Sequence, residues 1–176
     1  ENFATVKFIW NSDNIGFAKA NNLALTRATG EFILFLNPDT LIAEDSIEKC
    51  IHFLKTNENA GAIGIHMVDG SGNFLKESKR SFPSPVTSLY KLSGLAKLLP
   101  KSTQFARYHL GYLDKNKNNE VDVLAGAFIM IPQKIIVSLG GFDEAFFMYG
   151  EDIDLSYRIQ KEGYKNFFFA NTIGFF

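Results

Sequence analysis

Two groups of carboxylates in this sequence stand where chemistry can be done. The first is a single residue: Asp39 follows Asn37-Pro38 directly after five apolar residues, Phe32-Ile33-Leu34-Phe35-Leu36. The second is a cluster in which Asp143, Glu144, Glu151, Asp152 and Asp154 are interleaved with Phe142, Phe146, Phe147, Met148 and Ile153. Spacing separates the acids of the cluster. A helix that starts at Glu151 and is ended by Gly163 puts Asp152, Leu155 and Ile159 on one face by the i, i+3, i+7 rule, while Asp154 stands four residues before Arg158 and can pair with it on the outside. Asp152 therefore opens the apolar face, where partial desolvation suits a carboxylate to act as a general base. The same acids also oppose the positive end of the helix dipole, at about 0.3–1 kcal/mol each, which accounts for them without any ligand.

The elements that must hold these groups are legible around them. The unbroken apolar run between Gly30 and Pro38 predicts a strand buried on both faces, of the kind found in a parallel sheet covered by helices. Asp39 then emerges at the carboxyl end of the strand, in the crevice where open α/β sheets bind ligands, and Pro38 keeps Asn37 out of helical geometry. Taken alone, Asn37-Pro38-Asp39-Thr40 also serves as an ordinary turn. Before it, residues 5–10 have the β-branched and aromatic content of a strand, and Gly16 opens a helix over 17–29 with Gly30 at its C-cap. Asn21 and Asn22 are weak helix formers in mid-helix and face either water or a ligand.

After the central strand, Asp45 or Ser46 caps a helix with the stripe Ile47, Cys50, Ile51 and Leu54. Residues 62–68 read as a buried strand, 69–73 as a reversal and 74–76 as the returning strand of a hairpin. His66 is a core or edge residue with no assigned role. Lys79 and Arg80 open an extended, proline-containing segment over 79–85, where they suit phosphates or form a solvated basic loop. A helix over 86–99 and a polar loop over 101–120, containing His109, complete the middle of the chain. Gly126 and Ala127 then start an apolar run to Pro132 and let a neighbour approach the backbone closely; a short helix over 133–139 follows.

Composition narrows the classes. The 176 residues suffice for one sizeable core and a single domain spanning 1–176, and 46% apolar content with 18 phenylalanines predicts a sheet packed with aromatic rings. With 18 Lys and Arg against 19 Asp and Glu the net charge is −1, so no basic face is implied and nucleic acid is not the expected partner. The apolar runs are too short to span a bilayer. The single cysteine, Cys50, excludes an internal disulfide and lies on the apolar helix face, which fits a core residue and a reducing compartment.

Four segments resemble, in order, the family 2 glycosyltransferases, especially their rhamnosyltransferase-like branch. They are Asn14-Ile15-Gly16-Phe17-Ala18-Lys19-Ala20-Asn21-Asn22, Ala28-Thr29-Gly30-Glu31 with the strand through Asn37-Pro38-Asp39-Thr40, Gly126-Ala127-Phe128, and Gly141-Phe142-Asp143-Glu144 through Glu151-Asp152-Ile153-Asp154-Leu155. The resemblance implies an α/β GT-A fold with a mostly parallel central sheet flanked by helices. It further implies a nucleotide-diphospho-sugar donor, dTDP-rhamnose or a UDP-sugar, a saccharide or lipid-linked saccharide acceptor, and Mg2+ or Mn2+. Asn37-Pro38-Asp39 stands at the family's Asp-X-Asp motif with its first acid replaced, which makes Asp39 the implied metal ligand. Glu151-Asp152 stands at the Glu-Asp motif, so that Asp152 is the implied base with Glu151 beside it, and Gly16, Asn22, Asn37 and Gly126 are implied to line the nucleotide-sugar pocket. The implied activity is inverting sugar transfer in cell-surface polysaccharide synthesis, cytoplasmic and peripheral at the inner face of the membrane.

The family's opening strand-helix-strand unit is expected before Glu1 and a histidine often found after its last strand beyond Phe176, so a partial domain is expected. An uncovered sheet edge would then pair with a second copy. Two other classes share the fold: a non-catalytic nucleotide-sugar-binding or interaction module, and a metal-dependent nucleotidyltransferase, which has no need of the Glu151-Asp152 helix.

Overall fold

The computed structural model describes residues 5–85, 102–103 and 108–176. The helix expected over 86–99 lies outside the described residues, as do parts of the 101–120 loop. Along the chain come α1 (Phe17–Leu25), β1 (Phe32–Leu36), β2 (Leu41–Ile42), α2 (Ser46–Thr56), β3 (Ala60–Val68), a 3-10 turn (Lys76–Ser78), β4 (Asn119–Val121), β5 (Phe128–Pro132), α3 (Gln133–Ser138), α4 (Glu151–Lys161) and β6 (Lys165–Phe175). The strands form one sheet in the order β1-β5-β3-β6-β2, with β4 added beside β6.

Alternation along the strands divides the core. In β5, Ile129 and Ile131 join Ile33 and Phe35 of β1 under Ala18 of α1, Ile135 and Ile136 of α3, and Leu155 and Ile159 of α4. Phe128 and Met130 point the other way, with Ile63 and Ile65 of β3, to meet Cys50 and Leu54 of α2. The layer order is thus helices, sheet, helix, and β1 is covered on both faces as its sequence requires. Phenylalanine rings do fill it: Phe35 and Phe142 pack edge to face with centroids 4.7 Å apart, and Phe53 meets Phe167 at 5.2 Å.

Strand direction departs from the expectation of a mostly parallel sheet. Only β3 and β6 pair in parallel, whereas β1 with β5, β3 with β5, β4 with β6 and β2 with β6 are antiparallel. The fold class stands, as a mixed α/β sheet. A continuous apolar run reports burial on both faces, which β5 has, and is silent about direction. Because β5 is reversed between β1 and β3, those two share a direction, and the carboxyl end of β1 lies beside the amino end of β5. That edge carries the candidate site.

Three local expectations are also corrected. Residues 5–10 form no strand: Val6, Phe8 and Trp10 are 50%, 69% and 89% exposed, and β-propensity without a neighbouring ladder does not make a strand. Helix α1 stops at Leu25, closed by the Thr26 N–H on the Asn22 carbonyl, so Gly30 is not its cap. The hairpin returns for a single bridge, Val68 with Phe74, before the chain turns into the 3-10 segment; the Asp69 carboxylate shapes this reversal by accepting from the Ser71 and Asn73 N–H groups, both at 2.9 Å.

Candidate active site

The edge is built by a register. Leu36 is opposite Phe128, and one residue further the Asn37 N–H donates to the Ala127 carbonyl at 3.0 Å, which extends the β1–β5 ladder into both loops. Asn37-Pro38-Asp39 is thereby held beside Gly126-Ala127. Gly126 in turn donates its N–H to Asp152 Oδ2 at 3.3 Å. Two hydrogen bonds through one dipeptide therefore connect the segment carrying Asp39 to the first turn of α4. A Cβ at Gly126 would lie 3.6 Å from the Asp152 Cβ and 4.0 Å from Glu151 Oε1, so the glycine forms the floor under both acids.

Helix α4 begins after Tyr149 and Gly150, whose φ values of 69° and 98° turn the chain sharply into the first turn. Leu155 and Ile159 are buried on the face that Asp152 opens, as the spacing requires. Asp152 is only partly buried. Its Oδ1 accepts from the Ile153 N–H at 2.8 Å, and its Oδ2 accepts from Arg80 Nη2 at 2.5 Å as well as from Gly126. Glu151 is buried at 8% exposure, and its Oε2 has no hydrogen-bond partner. Asp154 pairs with Arg158 at 2.7 Å, at about one-fifth exposure rather than fully outside.

Asp39 is exposed and makes no ion pair among the described residues. Next to it, Thr40 Oγ1 is buried without a hydrogen-bond partner. Among the described residues, no three His, Cys, Asp or Glu side chains are grouped to cage a metal. One free carboxylate still fits magnesium or manganese that arrives with a diphosphate, because such ions are held by one or two carboxylates, substrate phosphate oxygens and water.

Gly16 and Asn22 occupy a supporting place. Gly16 is buried at φ 84°, where a Cβ would stand 2.7 Å from the Phe147 carbonyl, and that carbonyl accepts from the Phe17 N–H at 3.0 Å. The Asn22 amide clamps the backbone of Phe142, donating to its carbonyl at 2.9 Å and accepting from its N–H at 2.8 Å, and it also donates to Glu144 Oε1 at 3.1 Å. Gly141, at φ 80°, leaves room for Asn22 Oδ1. Both residues thus bind α1 to the acidic loop that delivers Glu151 and Asp152. Asn21 donates to the Phe17 carbonyl and caps nothing outside the helix.

Lys79 and Arg80 are neither solvated nor free for phosphates. Lys79 is 2% exposed and donates to the carbonyls of Leu110 and Leu113 at 2.7 and 2.6 Å; burial holds its pKa below the usual lysine value, with Asp114 opposing the shift. Arg80 is the residue that sequence reasoning placed wrongly, because its partner Asp152 is 72 positions away. The pair of cations in an extended segment was the signal for a contact, though not for which.

Comparison with known proteins follows this geometry. Residues 1–139 match the family described as Glycosyl transferase family 2. The chain is 30% identical over 159 residues to Rhamnosyltransferase WbbL of Escherichia coli (strain K12), covering 84% of this chain and 55% of that protein. It is 24% identical over 175 residues to the N-acetylglucosaminyl-diphospho-decaprenol L-rhamnosyltransferase of Mycobacterium tuberculosis, covering 93% and 56%. Among solved structures, that of GalNAc-T7 with UDP, GalNAc and Mn2+ superposes with a TM-score of 0.63 at 14% identity, covering 94% of this chain and 31% of that one, which shows the GT-A fold. The chain spans about half the length of the curated relatives it matches. With the family matched across most of its residues and the site motifs brought together at one sheet edge, the chain belongs to glycosyl transferase family 2.

Proposed function

We propose that the protein transfers a sugar, with inversion, from a nucleotide-diphospho-sugar to a saccharide or lipid-linked saccharide acceptor. The observation that supports this is the hydrogen-bonded path Asn37–Ala127–Gly126–Asp152, which connects the segment of an exposed carboxylate at a strand end to a partly buried carboxylate at a helix start. The printed names of the relatives, both rhamnosyltransferases, favour dTDP-rhamnose as donor, and one of them names a diphospho-decaprenol acceptor. UDP-sugars remain the other donor class, since the GalNAc-T7 structure holds UDP.

Asp39, with Asn37 beside it, would hold Mg2+ or Mn2+ together with the donor diphosphate. Such a cation, when bound, would supply Lewis-acid stabilisation of the charge that develops on the leaving diphosphate. Gly126 supplies a floor without a side chain against which the sugar can lie close to both acids. Asp152 takes the proton of the acceptor hydroxyl as its oxygen bonds to the anomeric carbon, while the bond to the diphosphate breaks and its electron pair leaves with the nucleotide. Glu151 stands buried beside Asp152 in the first turn of the helix and adds its negative charge next to the base. Gly16 and Asn22 keep the acidic loop seated on α1 beneath the donor. One displacement on the face opposite the leaving group inverts the centre.

No helix among the described residues is long and apolar enough to cross a membrane, and a lipid-linked acceptor would bring the protein to the membrane surface as a peripheral enzyme on the cytoplasmic side. Among the described strands β1 ends the sheet on one side, and its open edge is where a second copy would pair.

The test is sugar transfer by the full-length protein from dTDP-rhamnose and from UDP-sugars. Asp152→Asn is expected to lower kcat by about 10²-fold or more, the ordinary contribution of a general base. Undiminished transfer by that variant contradicts the assignment, and a parent that binds nucleotide-sugar but never transfers it supports the non-catalytic binding module instead.

A further inference from the structure

We propose that Arg80 is a positioning residue for the catalytic carboxylate, and that by filling Oδ2 of Asp152 it assigns the acceptor proton to Oδ1. This rests on Asp152 being the base.

An ionised carboxylate presents about two lone-pair sites on each oxygen. Both sites on Oδ2 are taken, one by Arg80 Nη2 at 2.5 Å and one by the Gly126 N–H at 3.3 Å. Among the described residues Oδ1 receives only the Ile153 N–H at 2.8 Å, which leaves one of its two lone-pair sites. The proton released by the acceptor hydroxyl has that site to go to. As the acceptor oxygen bonds to the anomeric carbon, the O–H proton moves to Oδ1, and the diphosphate departs with the electrons of the broken C–O bond. Asp152 becomes a neutral acid whose Oδ2 still accepts from Arg80.

Arg80 is itself fixed well enough to do this. Its backbone exchanges hydrogen bonds with Val123, at 3.3 and 2.9 Å, and the second hydrogen of Nη2 goes to the Leu124 carbonyl at 2.9 Å. The ion pair is enclosed, with 13% and 15% of the two side chains exposed. Among the described residues Arg80 is the cation paired with Asp152; the adjacent Glu151 carries the same sign, and Asp154 pairs with Arg158, which also donates to the Leu139 carbonyl. Both bonds come from Nη2, whose two hydrogens lie in the fixed plane of the guanidinium; a lysine ammonium keeps the charge but not that fixed plane.

The experiment measures kcat and both KM values for sugar transfer by the full-length protein, with folding followed by circular dichroism. Arg80→Gln is expected to lower kcat about 10²-fold, the cost of a misplaced catalytic group, while the KM values for donor and acceptor stay near those of the parent. Arg80→Lys is expected to recover part of the loss. A kcat for Arg80→Gln equal to the parent's overturns the proposal. So does a rise in donor KM that accounts for the whole loss in kcat/KM, which would place Arg80 on the diphosphate. Should the glutamine variant fail to fold, Arg80→Lys decides alone: reduced kcat at unchanged KM supports the assignment and parental kcat defeats it. Asp152→Asn keeps the two levels apart, since an active Asp152→Asn defeats the base itself, while an inactive one beside a fully active Arg80→Gln defeats only the role of Arg80.

Discussion

Asp39 and Asp152 are carboxylates of the same kind in different surroundings, and the proposed function gives them different work. Asp39 is exposed at the end of β1 and open to a hydrated cation, whereas Asp152 is held by three donors at the start of α4. Their spacing from apolar runs was legible in the sequence, because a strand end and a helix face follow from local periodicity. The partner of Asp152 was not, since nothing local links position 80 to position 152. Two other residues give tests independent of substrate. Burial pushes the Cys50 thiol up to about 12, so the folded protein should resist alkylation by iodoacetamide at neutral pH and react once denatured; rapid labelling of the native state would contradict its place in the core. Burial also lowers the pKa of His66 below its ordinary 6.5, helped by the charges of Lys115 and Lys79 and opposed by its hydrogen bond to the Lys115 carbonyl at 3.0 Å. The folded state then binds the proton less readily than the unfolded one, so the stability is complete above pH 6.5 and is lost as pH falls from 6.5 through the lowered value. The Tm should drop between pH 7.5 and pH 5, and drop less in His66→Gln; equal drops would refute the sign or the residue.

At the level of elements, the acidic loop of residues 141–150 is the part whose position matters most, and it is secured by α1. Asn22 gives its whole amide to the Phe142 backbone, and Phe142 packs its ring against Phe17 at 5.6 Å and Phe35 at 4.7 Å. Asn22→Ala leaves a buried carbonyl and N–H without partners and is expected to destabilise the protein by about 1–3 kcal/mol in denaturant titration, and to lower transfer with it. A variant as stable and as active as the parent would show that the clamp is dispensable. The boundaries of β1, α2 and α4 were within reach of sequence reasoning because each has an apolar stripe or run of the right period. The end of α1 was not: Gly30 looked like a C-cap, yet past Leu25 only Ala28 packs on the core, and Thr26, Arg27 and Thr29 are exposed. Residues 5–10 failed for the opposite reason, having the composition of a strand and no partner strand among the described residues.

Over the whole molecule, two apolar layers on either side of one mixed sheet fix the crevice. The layers were legible in the sequence and the strand directions were not, since an apolar run reports burial and carries no mark of direction. Leu155 is fully buried on the face that Asp152 opens, and Leu155→Ala is expected to cost about 2–5 kcal/mol in urea unfolding; a loss under 1 kcal/mol would mean that α4 is not seated on the sheet as described. In the proposed function one sheet edge carries two separate jobs, donor and metal at Asp39 and the base at Asp152. Calorimetric titration of the full-length protein with dTDP and UDP, with and without Mn2+, tests it most directly in the parent, Asp39→Ala and Asp152→Asn. Nucleotide binding is expected to require the metal, to vanish in Asp39→Ala and to persist in Asp152→Asn. Binding that survives in Asp39→Ala, or that is lost in a folded Asp152→Asn, would contradict it.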